Sequence, residues 1–305
     1  MKERHEIAVI ADLPGDLREA LAQRFELVDE PLEGPRAKTV PELSPRYIAV
    51  ATRALVGVPA DLLDHLPDLR LVLSLGAGLD RIDEGALAAR GIRLSYTPDQ
   101  FTEDVADFAL GLIFAGGRRI VEADRFARRG AWSLGRFPIS RRVSTRRVGV
   151  VGMGRIGRRI AEKCTSLGMP VAYSGRKPHP DLSYDYCSGV SALAARSDVL
   201  VLACAFNEET RGMVDEKVLK ALGPTGFLVN VSRGAVVDEE ALLTALADMS
   251  LGGAALDVFR SEPGFDERFA ALENVIITPH IASFTAEARQ AVIDHLVAEA
   301  LRHLP

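Results

Sequence analysis

The feature that most constrains this chain is a glycine-rich turn between a hydrophobic strand and a helix. A strand is predicted over residues 148–151, and it runs directly into Gly152, Met153, Gly154, Arg155, Ile156 and Gly157, a G-x-G-x-x-G pattern. The first glycine permits the tight turn, the second lets a pyrophosphate approach the backbone, and the third lets helix and strand pack closely. The helix N-terminus offers free N–H groups and a positive dipole end to phosphates. The turn therefore predicts a parallel α/β domain that binds a dinucleotide.

Short hydrophobic runs alternate with helical patterns on both sides of this turn. The predicted strands are 6–11, 47–51, 69–74, 92–96, 148–151, 171–173, 199–204, 227–231, 254–256 and 275–277. The predicted helices are 17–24, 60–66, 86–89, 103–116, 118–129, 155–167, 190–195, 215–222, 239–247 and 286–301. Such alternation is typical of parallel sheets covered by helices on both faces. The fold class is therefore α/β, with two parallel-sheet units, the second of which begins at the glycine turn.

Composition excludes several classes of partner. The net charge is −5 and the pI about 5.8, so no basic field favours nucleic acid. No window approaches the roughly 18 apolar residues of a membrane helix. The three cysteines, Cys164, Cys187 and Cys204, share no metal-ligand spacing, and they suit buried thiols in a reducing compartment. We expect a cytoplasmic protein without a metal, nucleic-acid or membrane partner.

The strand after the glycine turn carries a signal for cofactor choice. An acidic residue at its end would bind the ribose 2′-hydroxyl of NAD, but this chain has Ser174 there, followed by Arg176 and Lys177. A hydroxyl and a guanidinium can hold a 2′-phosphate through charge-assisted hydrogen bonds. The stretch predicts a preference for NADPH, with NAD still possible. The alternative is that the two cations are solvated loop residues.

Three later strands each end in a residue suited to catalysis. Arg233, Glu262 and His280 follow the strands predicted at 227–231, 254–256 and 275–277. Because carboxyl ends of parallel strands meet at the ligand crevice, the three side chains are expected to converge there. A histidine can donate a proton near neutral pH, a carboxylate can orient its ring, and a guanidinium can bind a substrate carboxylate. This set predicts reduction of a keto group by hydride transfer. Each residue taken alone also fits a structural role.

Together these stretches resemble the D-isomer-specific 2-hydroxyacid dehydrogenase family. The matching segments are residues 74–83, 152–157, 230–234 with 237–239, 256–263 and 278–283. The resemblance implies a hinged two-domain enzyme, usually a dimer, with Arg233, Glu262 and His280 as catalytic residues. It also implies that Asp257 holds the nicotinamide carboxamide. The substrate carboxylate would bind backbone amides around Leu75, Gly76, Ala77 and Gly78.

Within that family the chain is most similar to the short glyoxylate/hydroxypyruvate and hydroxyphenylpyruvate reductases. The expected activity is reduction of a small 2-keto acid to a D-2-hydroxy acid. Cys204 and Val231 are further expected cofactor contacts, and Arg53 is a candidate for reading the substrate tail or else a solvated cation. One departure is Ala205, where the family usually has proline. This departure affects the rigidity expected of a loop near the adenosine.

The resemblance also implies a division of the chain into two Rossmann-like parallel-sheet domains, one flavodoxin-like and one NAD(P)-binding, with a cleft between them. Residues 1–98 and 282–305 would form the substrate domain, and residues 99–281 the cofactor domain. A homodimer would form through the segment from 103 to about 140. Trp132, in that segment, either reaches a partner subunit or packs within its own chain.

Two other functions remain open at this point. The chain could be an NAD-dependent D-2-hydroxyacid dehydrogenase of the phosphoglycerate or lactate type. It could also be a non-enzymatic nucleotide sensor, as in the related C-terminal-binding-protein corepressors, since such proteins can retain all three catalytic residues.

Overall fold

The structure, a computed structural model, describes residues 4–304. These residues divide into two compact units. The first unit contains the described residues up to Phe101 together with those from Thr285 onward, and the second contains Thr102–Phe284. Each unit is built on one parallel sheet. The predicted α/β class with two parallel-sheet domains is confirmed.

The first unit has a five-stranded parallel sheet in the order β2-β1-β3-β4-β5. Its strands are β1 (Glu6–Val9), β2 (Glu26–Asp29), β3 (Ala49–Arg53), β4 (Leu71–Leu75) and β5 (Arg93–Tyr96). Its helices are α1 (Gly15–Ala22), α2 (Ala60–His65), α3 (Glu84–Ala89) and α10 (Ala286–His303), with a 3₁₀ turn at Val40–Glu42. Helix α10 returns the end of the chain to this sheet, where Val292 and Leu296 pack among Ile7, Leu71 and Leu73.

The second unit has a seven-stranded parallel sheet in the order β12-β11-β10-β9-β6-β7-β8. Its strands are β6 (Val148–Val151), β7 (Val171–Ser174), β8 (Asp185–Cys187), β9 (Val199–Leu202), β10 (Phe227–Asn230), β11 (Gly253–Leu256) and β12 (Val275–Ile277). Its helices are α4 (Thr102–Gly117), α5 (Ile120–Arg128), α6 (Arg155–Ser166), α7 (Val190–Ala194), α8 (Glu216–Leu222) and α9 (Glu239–Ala247), with 3₁₀ turns at Ala131–Ser133, Gly234–Val236 and Glu267–Ala271.

The central strands of the second sheet are hydrophobic on both faces. Every residue of β6, β9, β10 and β11 is buried. Because helices cover both faces of the sheet, the sequences of these strands are continuous hydrophobic runs and do not alternate between apolar and polar residues. Strand order reverses between β6 and β9, and ligands of open α/β sheets bind outside the carboxyl ends of the strands at such a switch point.

The predicted elements all exist, with ends that differ by no more than two residues, but two strands were missed. These are β2 and β8, each of which combines at least one charged residue with only two apolar ones. Both lie at a sheet edge, where one side of the strand has no neighbouring strand and burial is incomplete. Edge strands need less apolar surface, and so they lack the hydrophobic run that identified the others.

Candidate functional site

The glycine turn lies between β6 and α6, beside the switch point of the second sheet. Gly152 has a φ of +90°, and a Cβ there would stand 2.5 Å from the Cα of Cys204. A Cβ on Gly157 would stand 1.9 Å from the carbonyl oxygen of Gly152. Both positions therefore need glycine for the turn itself. Gly154 differs, because no heavy atom lies within 4 Å of where its Cβ would be.

This geometry fits a bound pyrophosphate. The open space at Gly154 leaves the backbone accessible at the N-terminus of the 12-residue helix α6, where N–H groups point outward. Met153 is buried beneath the turn, Ile156 is half-buried and Arg155 is exposed on the first turn of the helix. The first and third glycines shape the turn, and the second leaves room for a ligand.

Two further predicted cofactor residues border the same edge. Cys204 follows β9 and touches the glycine turn, and Val231 follows β10, where its N–H donates to the carbonyl of Leu202. Burial raises the pKa of the Cys204 thiol to about 11, so the thiol is neutral at physiological pH. Cys204 therefore packs against the glycine turn as a neutral side chain and adds no charge to this edge of the sheet.

The end of β7 carries a buried serine followed by two exposed cations. Ser174 is buried, and its carbonyl accepts a hydrogen bond from the N–H of Gly152 at 2.9 Å. Arg176 and Lys177 follow it, and both are exposed. No carboxylate occurs between Ser174 and Lys177. This edge therefore presents two cations beside the glycine turn.

The three predicted catalytic residues follow three adjacent strands. Arg233 comes after β10, Glu262 after β11 and His280 after β12, and these strands are neighbours in the sheet. A Cβ on Gly234 would stand 2.0 Å from the carbonyl carbon of Phe259, so only glycine allows the segment after β10 to lie against the segment after β11. This close approach brings the Arg233 and Glu262 segments together.

His280 and Glu262 form a direct pair. Nδ1 of the ring lies 2.7 Å from Oε2 of the carboxylate, and Oε1 accepts the N–H of Phe259 at 2.9 Å. Burial opposes ionisation of Glu262, but the hydrogen bond and charge of His280, the Phe259 N–H and the charge of Arg233 together lower its pKa. The carboxylate is therefore ionised at neutral pH and can hold the ring in one orientation.

The backbone around Arg233 is held by Asn230, the last residue of β10. The Oδ1 atom of Asn230 accepts the N–H of Ser232 at 3.0 Å and its hydroxyl at 2.8 Å, and Nδ2 donates to the carbonyl of Arg233 at 3.0 Å. Arg233 itself is half-buried and donates from Nη1 to the Ser232 carbonyl at 2.8 Å. Sequence reasoning missed this role of Asn230, although an amide at the end of a buried hydrophobic strand is a recognisable signal.

The backbone at His280 adopts a left-handed conformation, with a φ of +55°. Asp257 holds this turn from both sides. Its Oδ1 accepts the Thr278 hydroxyl at 2.6 Å and the Ile281 N–H at 3.0 Å, while Oδ2 accepts the Ala282 N–H at 3.0 Å. Burial raises the pKa of Asp257 despite these bonds. Asp257 thus supports the histidine turn, and its contact with a nicotinamide carboxamide stays a prediction.

The predicted substrate residues lie in the first unit, at the carboxyl ends of β3 and β4. Arg53 ends β3 opposite Leu75, and its Nε is buried without a hydrogen-bond partner. The following residues, Gly76, Ala77 and Gly78, are half-buried. The N–H of Gly76 donates to Oγ1 of Thr97 at 2.9 Å, so that amide is occupied in this structure. Their contact with a substrate carboxylate stays a prediction.

Residues 4–304 contain no group of three or more His, Cys, Asp or Glu side chains arranged to hold a metal ion. In the same residues, no helix combines the length and hydrophobicity needed to span a bilayer.

Comparison with known proteins identifies the family. Residues 110–282 match the family model described as D-isomer specific 2-hydroxyacid dehydrogenase, NAD binding domain. The chain is 46% identical to glyoxylate/hydroxypyruvate reductase A of Arabidopsis thaliana over 255 residues, which cover 84% of this chain and 82% of the relative. It is 43% identical to hydroxyphenylpyruvate reductase of Plectranthus scutellarioides over the same shares of the two chains.

The chain belongs to the D-isomer-specific 2-hydroxyacid dehydrogenase family. It is thus an oxidoreductase that uses a nicotinamide cofactor and acts on the CH–OH group of 2-hydroxy acids.

Solved structures agree with this membership. An NADPH-dependent glyoxylate/hydroxypyruvate reductase from Sinorhizobium meliloti, in complex with NADP and malonate, superposes on this dehydrogenase with a TM-score of 0.88. That structure is 34% identical, and the match covers 98% of this chain and 94% of the other. A 2-hydroxyacid dehydrogenase from Ketogulonicigenium vulgare also gives a TM-score of 0.88, at 38% identity over the same shares.

Proposed function

We propose that this dehydrogenase is an NADPH-preferring reductase of small 2-keto acids such as glyoxylate and hydroxypyruvate, with D-2-hydroxy acids as products. The observation that carries the cofactor preference is the end of β7, where Ser174, Arg176 and Lys177 occupy the place of a ribose-binding acid. The names of the Arabidopsis and Sinorhizobium relatives support the reaction, and the NADP complex of the latter supports the cofactor.

Each catalytic side chain has a defined task in this proposal. The reduced nicotinamide, when bound, supplies the hydride that reaches the keto carbon. His280 donates the proton that the keto oxygen gains, which leaves a neutral imidazole. Glu262 accepts a hydrogen bond from the Nδ1–H group of the ring, with Nδ1 and Oε2 2.7 Å apart, and this leaves Nε2 to face the substrate. The keto acid therefore gains one hydride and one proton and becomes a 2-hydroxy acid.

Arg233 supplies fixed positive charge for the substrate. Its backbone is held by Asn230, the residue is half-buried, and Nη1 donates to the Ser232 carbonyl, so the orientation of the side chain is restricted before substrate binds. A guanidinium can bind a carboxylate through two parallel hydrogen bonds and can polarise a keto oxygen. We assign the amide segment of residues 75–78 and the Arg53 side chain, both in the first unit, to substrate binding as well.

A panel of 2-keto acids, followed through NADPH and NADH consumption, tests the reaction and the cofactor together. Arg176→Ala should raise the KM for NADPH about 10- to 100-fold, since a charge-assisted hydrogen bond is worth about 1.5–3 kcal/mol. The KM for NADH should barely change. Arg24→Ala removes an exposed cation from the first unit and serves as the control. Equal use of both cofactors by the wild type, unaffected by Arg176→Ala, would contradict the NADPH preference.

We also propose a homodimer that forms through the segment from 103 to about 140. Three large hydrophobic side chains there are strongly exposed within the single chain: Trp132 at 74%, Leu134 at 90% and Ile139 at 99%. Most of the Trp132 side chain is therefore uncovered within its own chain, and a partner subunit would cover such residues. Light scattering coupled to gel filtration of the wild type and of Leu134→Glu measures this directly, because the variant should elute as a monomer.

The three cysteines support a reducing location. All are free, with Cys164 and Cys187 buried and Cys204 half-buried. Free buried thiols are usual in cytosolic proteins. We therefore propose that the enzyme works in the cytoplasm.

A further inference from the structure

The loop between β7 and β8 is tied to the rest of the second unit at several points. This loop, residues 175–184, carries Arg176 and Lys177 near its start. The carbonyl of Gly175 accepts the hydroxyl of Tyr186 at 3.2 Å, and the N–H of His179 donates to the hydroxyl of Tyr173 at 2.7 Å. Hydrogen bonds therefore hold the loop backbone on both sides of the two cations.

One side chain of α6 adds three polar contacts that involve this loop and the glycine turn. Each guanidinium nitrogen of Arg158 contacts a different acceptor: Nε donates to the carbonyl of Met153 at 3.3 Å, Nη2 to Nδ1 of His179 at 3.2 Å, and Nη1 pairs with Oδ2 of Asp181. Met153 belongs to the glycine turn, whereas His179 and Asp181 belong to the loop. Arg158 thus links the segment that would receive the pyrophosphate to the segment that would receive the 2′-phosphate.

Charge and exposure indicate that this link sets position rather than overall stability. The side chains of Arg158 and Asp181 are 33% and 60% exposed, and ion pairs in such settings contribute about 0–1 kcal/mol. The pair raises the pKa of Arg158 and lowers that of Asp181, so both are ionised at neutral pH. The negative charge of Asp181, close to the two loop cations in sequence, is therefore matched by Arg158.

We propose that Arg158 is a positioning residue for cofactor selection, which holds the β7–β8 loop so that Arg176 and Lys177 meet the 2′-phosphate of NADPH. This inference rests on the proposed NADPH preference. It requires the fork of three donor nitrogens and not only a positive charge, since a lysine at 158 would reach one acceptor at a time. It also requires Asp181, even though a carboxylate near a phosphate would by itself weaken binding.

The test is calorimetric binding of adenosine 2′,5′-bisphosphate and of 5′-AMP to the full-length protein, which needs no turnover. The wild type should bind the bisphosphate more tightly. Arg158→Lys and Asp181→Asn should each lose about 10-fold of that preference, equivalent to one hydrogen bond to a charged group, while 5′-AMP affinity and Tm stay near wild-type values. Arg159→Ala is the matched control, because the neighbouring Arg159 pairs with Glu103 and Glu162 instead of the loop.

The outcomes separate this inference from the proposed function. A wild type without preference for the bisphosphate would overturn both. If Arg176→Ala abolishes the preference while Arg158→Lys and Asp181→Asn retain it, the NADPH proposal stands and the positioning role of Arg158 is wrong. Tighter binding by Asp181→Asn would also overturn it, since Arg158 would then act on the phosphate directly once released from its partner.

Discussion

Nδ1 of His280 lies 2.7 Å from Oε2 of Glu262, and this contact decides which ring nitrogen is available for chemistry. The engaged Nδ1 leaves Nε2 to protonate a keto oxygen. Replacement of His280 should therefore remove the proton donor and lower kcat by about 10²–10⁴-fold, the usual contribution of a general acid. Because the backbone at 280 is left-handed, Asn is a better replacement than Ala, since Asn tolerates that conformation.

Steady-state kinetics of His280→Asn and His280→Ala measure this effect, and calorimetry of cofactor binding checks that the pocket is intact. Cofactor affinity should stay near the wild-type value in both variants. A kcat within a few-fold of wild type in His280→Asn would remove His280 from the role of proton donor.

The lowered pKa of Glu262 predicts how stability depends on pH. A carboxyl group whose pKa is lower in the folded than in the unfolded chain stabilises the fold above its ordinary value of 4.5 and loses that contribution as the pH falls through the folded value. The free-energy difference between wild type and Glu262→Gln should therefore shrink as the pH falls from 6 to 3, as followed by urea unfolding.

Glu239 provides a control of opposite sign. Burial raises its pKa, so its contribution is largest at low pH and is lost as the pH rises through the folded value. The difference between wild type and Glu239→Gln should then grow on acidification. Parallel trends for the two variants would contradict the assignment of opposite shifts.

Asp257 should control the activity of His280 without touching the reacting atoms. Its two oxygens accept three hydrogen bonds around the histidine turn, and an asparagine would present an N–H₂ group to at least one of those donors. We expect Asp257→Asn to lose about 1–3 kcal/mol of stability, the cost of an unsatisfied buried group. It should also lower kcat, because the ring at 280 loses its orientation.

Chemical denaturation and kinetics of Asp257→Asn test this pair of effects. Thr278→Val, which removes only the Oγ1–H donor at 2.6 Å, should show a smaller change in the same direction. An Asp257→Asn enzyme with unchanged kcat and reduced stability would assign Asp257 a structural role alone.

The sequence predicts most of the fold and the identity of the site because both follow local patterns. Hydrophobic runs mark β6, β9, β10 and β11, which are buried on both faces. Because the carboxyl ends of parallel strands lie at the same edge of a sheet, Arg233, Glu262 and His280 are then expected at one edge of the second sheet. The structure brings Glu262 and His280 into contact across 18 residues of sequence.

Contacts that depend on tertiary packing could not be predicted in this way. Asp257 binds backbone N–H groups 24 and 25 residues away, and nothing in its local sequence distinguishes that role from a ligand contact. The link from Arg158 to Asp181 spans 23 residues across a loop whose path is set by Tyr173 and Tyr186. Such geometry depends on how helices pack on the sheet, which periodicity alone does not specify.

The glycine turn gives a prediction that separates binding from folding. Gly157→Ala places a methyl group 1.9 Å from the Gly152 carbonyl oxygen, so the backbone must shift and Tm should fall by several degrees. Gly154→Ala meets no atom within 4 Å and has an ordinary φ of −77°, so Tm should hold. Its methyl group occupies the space left for pyrophosphate, and cofactor affinity should therefore drop at least 10-fold.

Thermal unfolding with and without NADPH measures both glycine variants at once. Gly154→Ala should unfold near the wild-type temperature in the absence of cofactor and gain less stabilisation from it. Full cofactor stabilisation of Gly154→Ala would show that the pyrophosphate does not approach the backbone at this residue.

Thr97 should control the substrate amides of the first unit. Its hydroxyl accepts the Gly76 N–H at 2.9 Å, its own N–H donates to the Gly76 carbonyl at 3.1 Å, and the side chain is fully buried. Thr97→Val keeps the volume but leaves the Gly76 N–H without this acceptor, at a cost of about 1–3 kcal/mol. The amide segment should shift, so the KM for the keto acid should rise while the KM for NADPH stays constant.

Thr52→Val is the matched control for this variant. Thr52, in β3, is equally buried, and its hydroxyl donates to the Gly57 carbonyl at 2.8 Å instead of accepting from an amide of the 75–78 segment. The two variants should lose similar stability in urea unfolding, because each loses one buried hydrogen bond. Only Thr97→Val should raise the KM for the keto acid. An equal rise in both would show that general loosening of the sheet, rather than the position of the 75–78 segment, controls substrate binding.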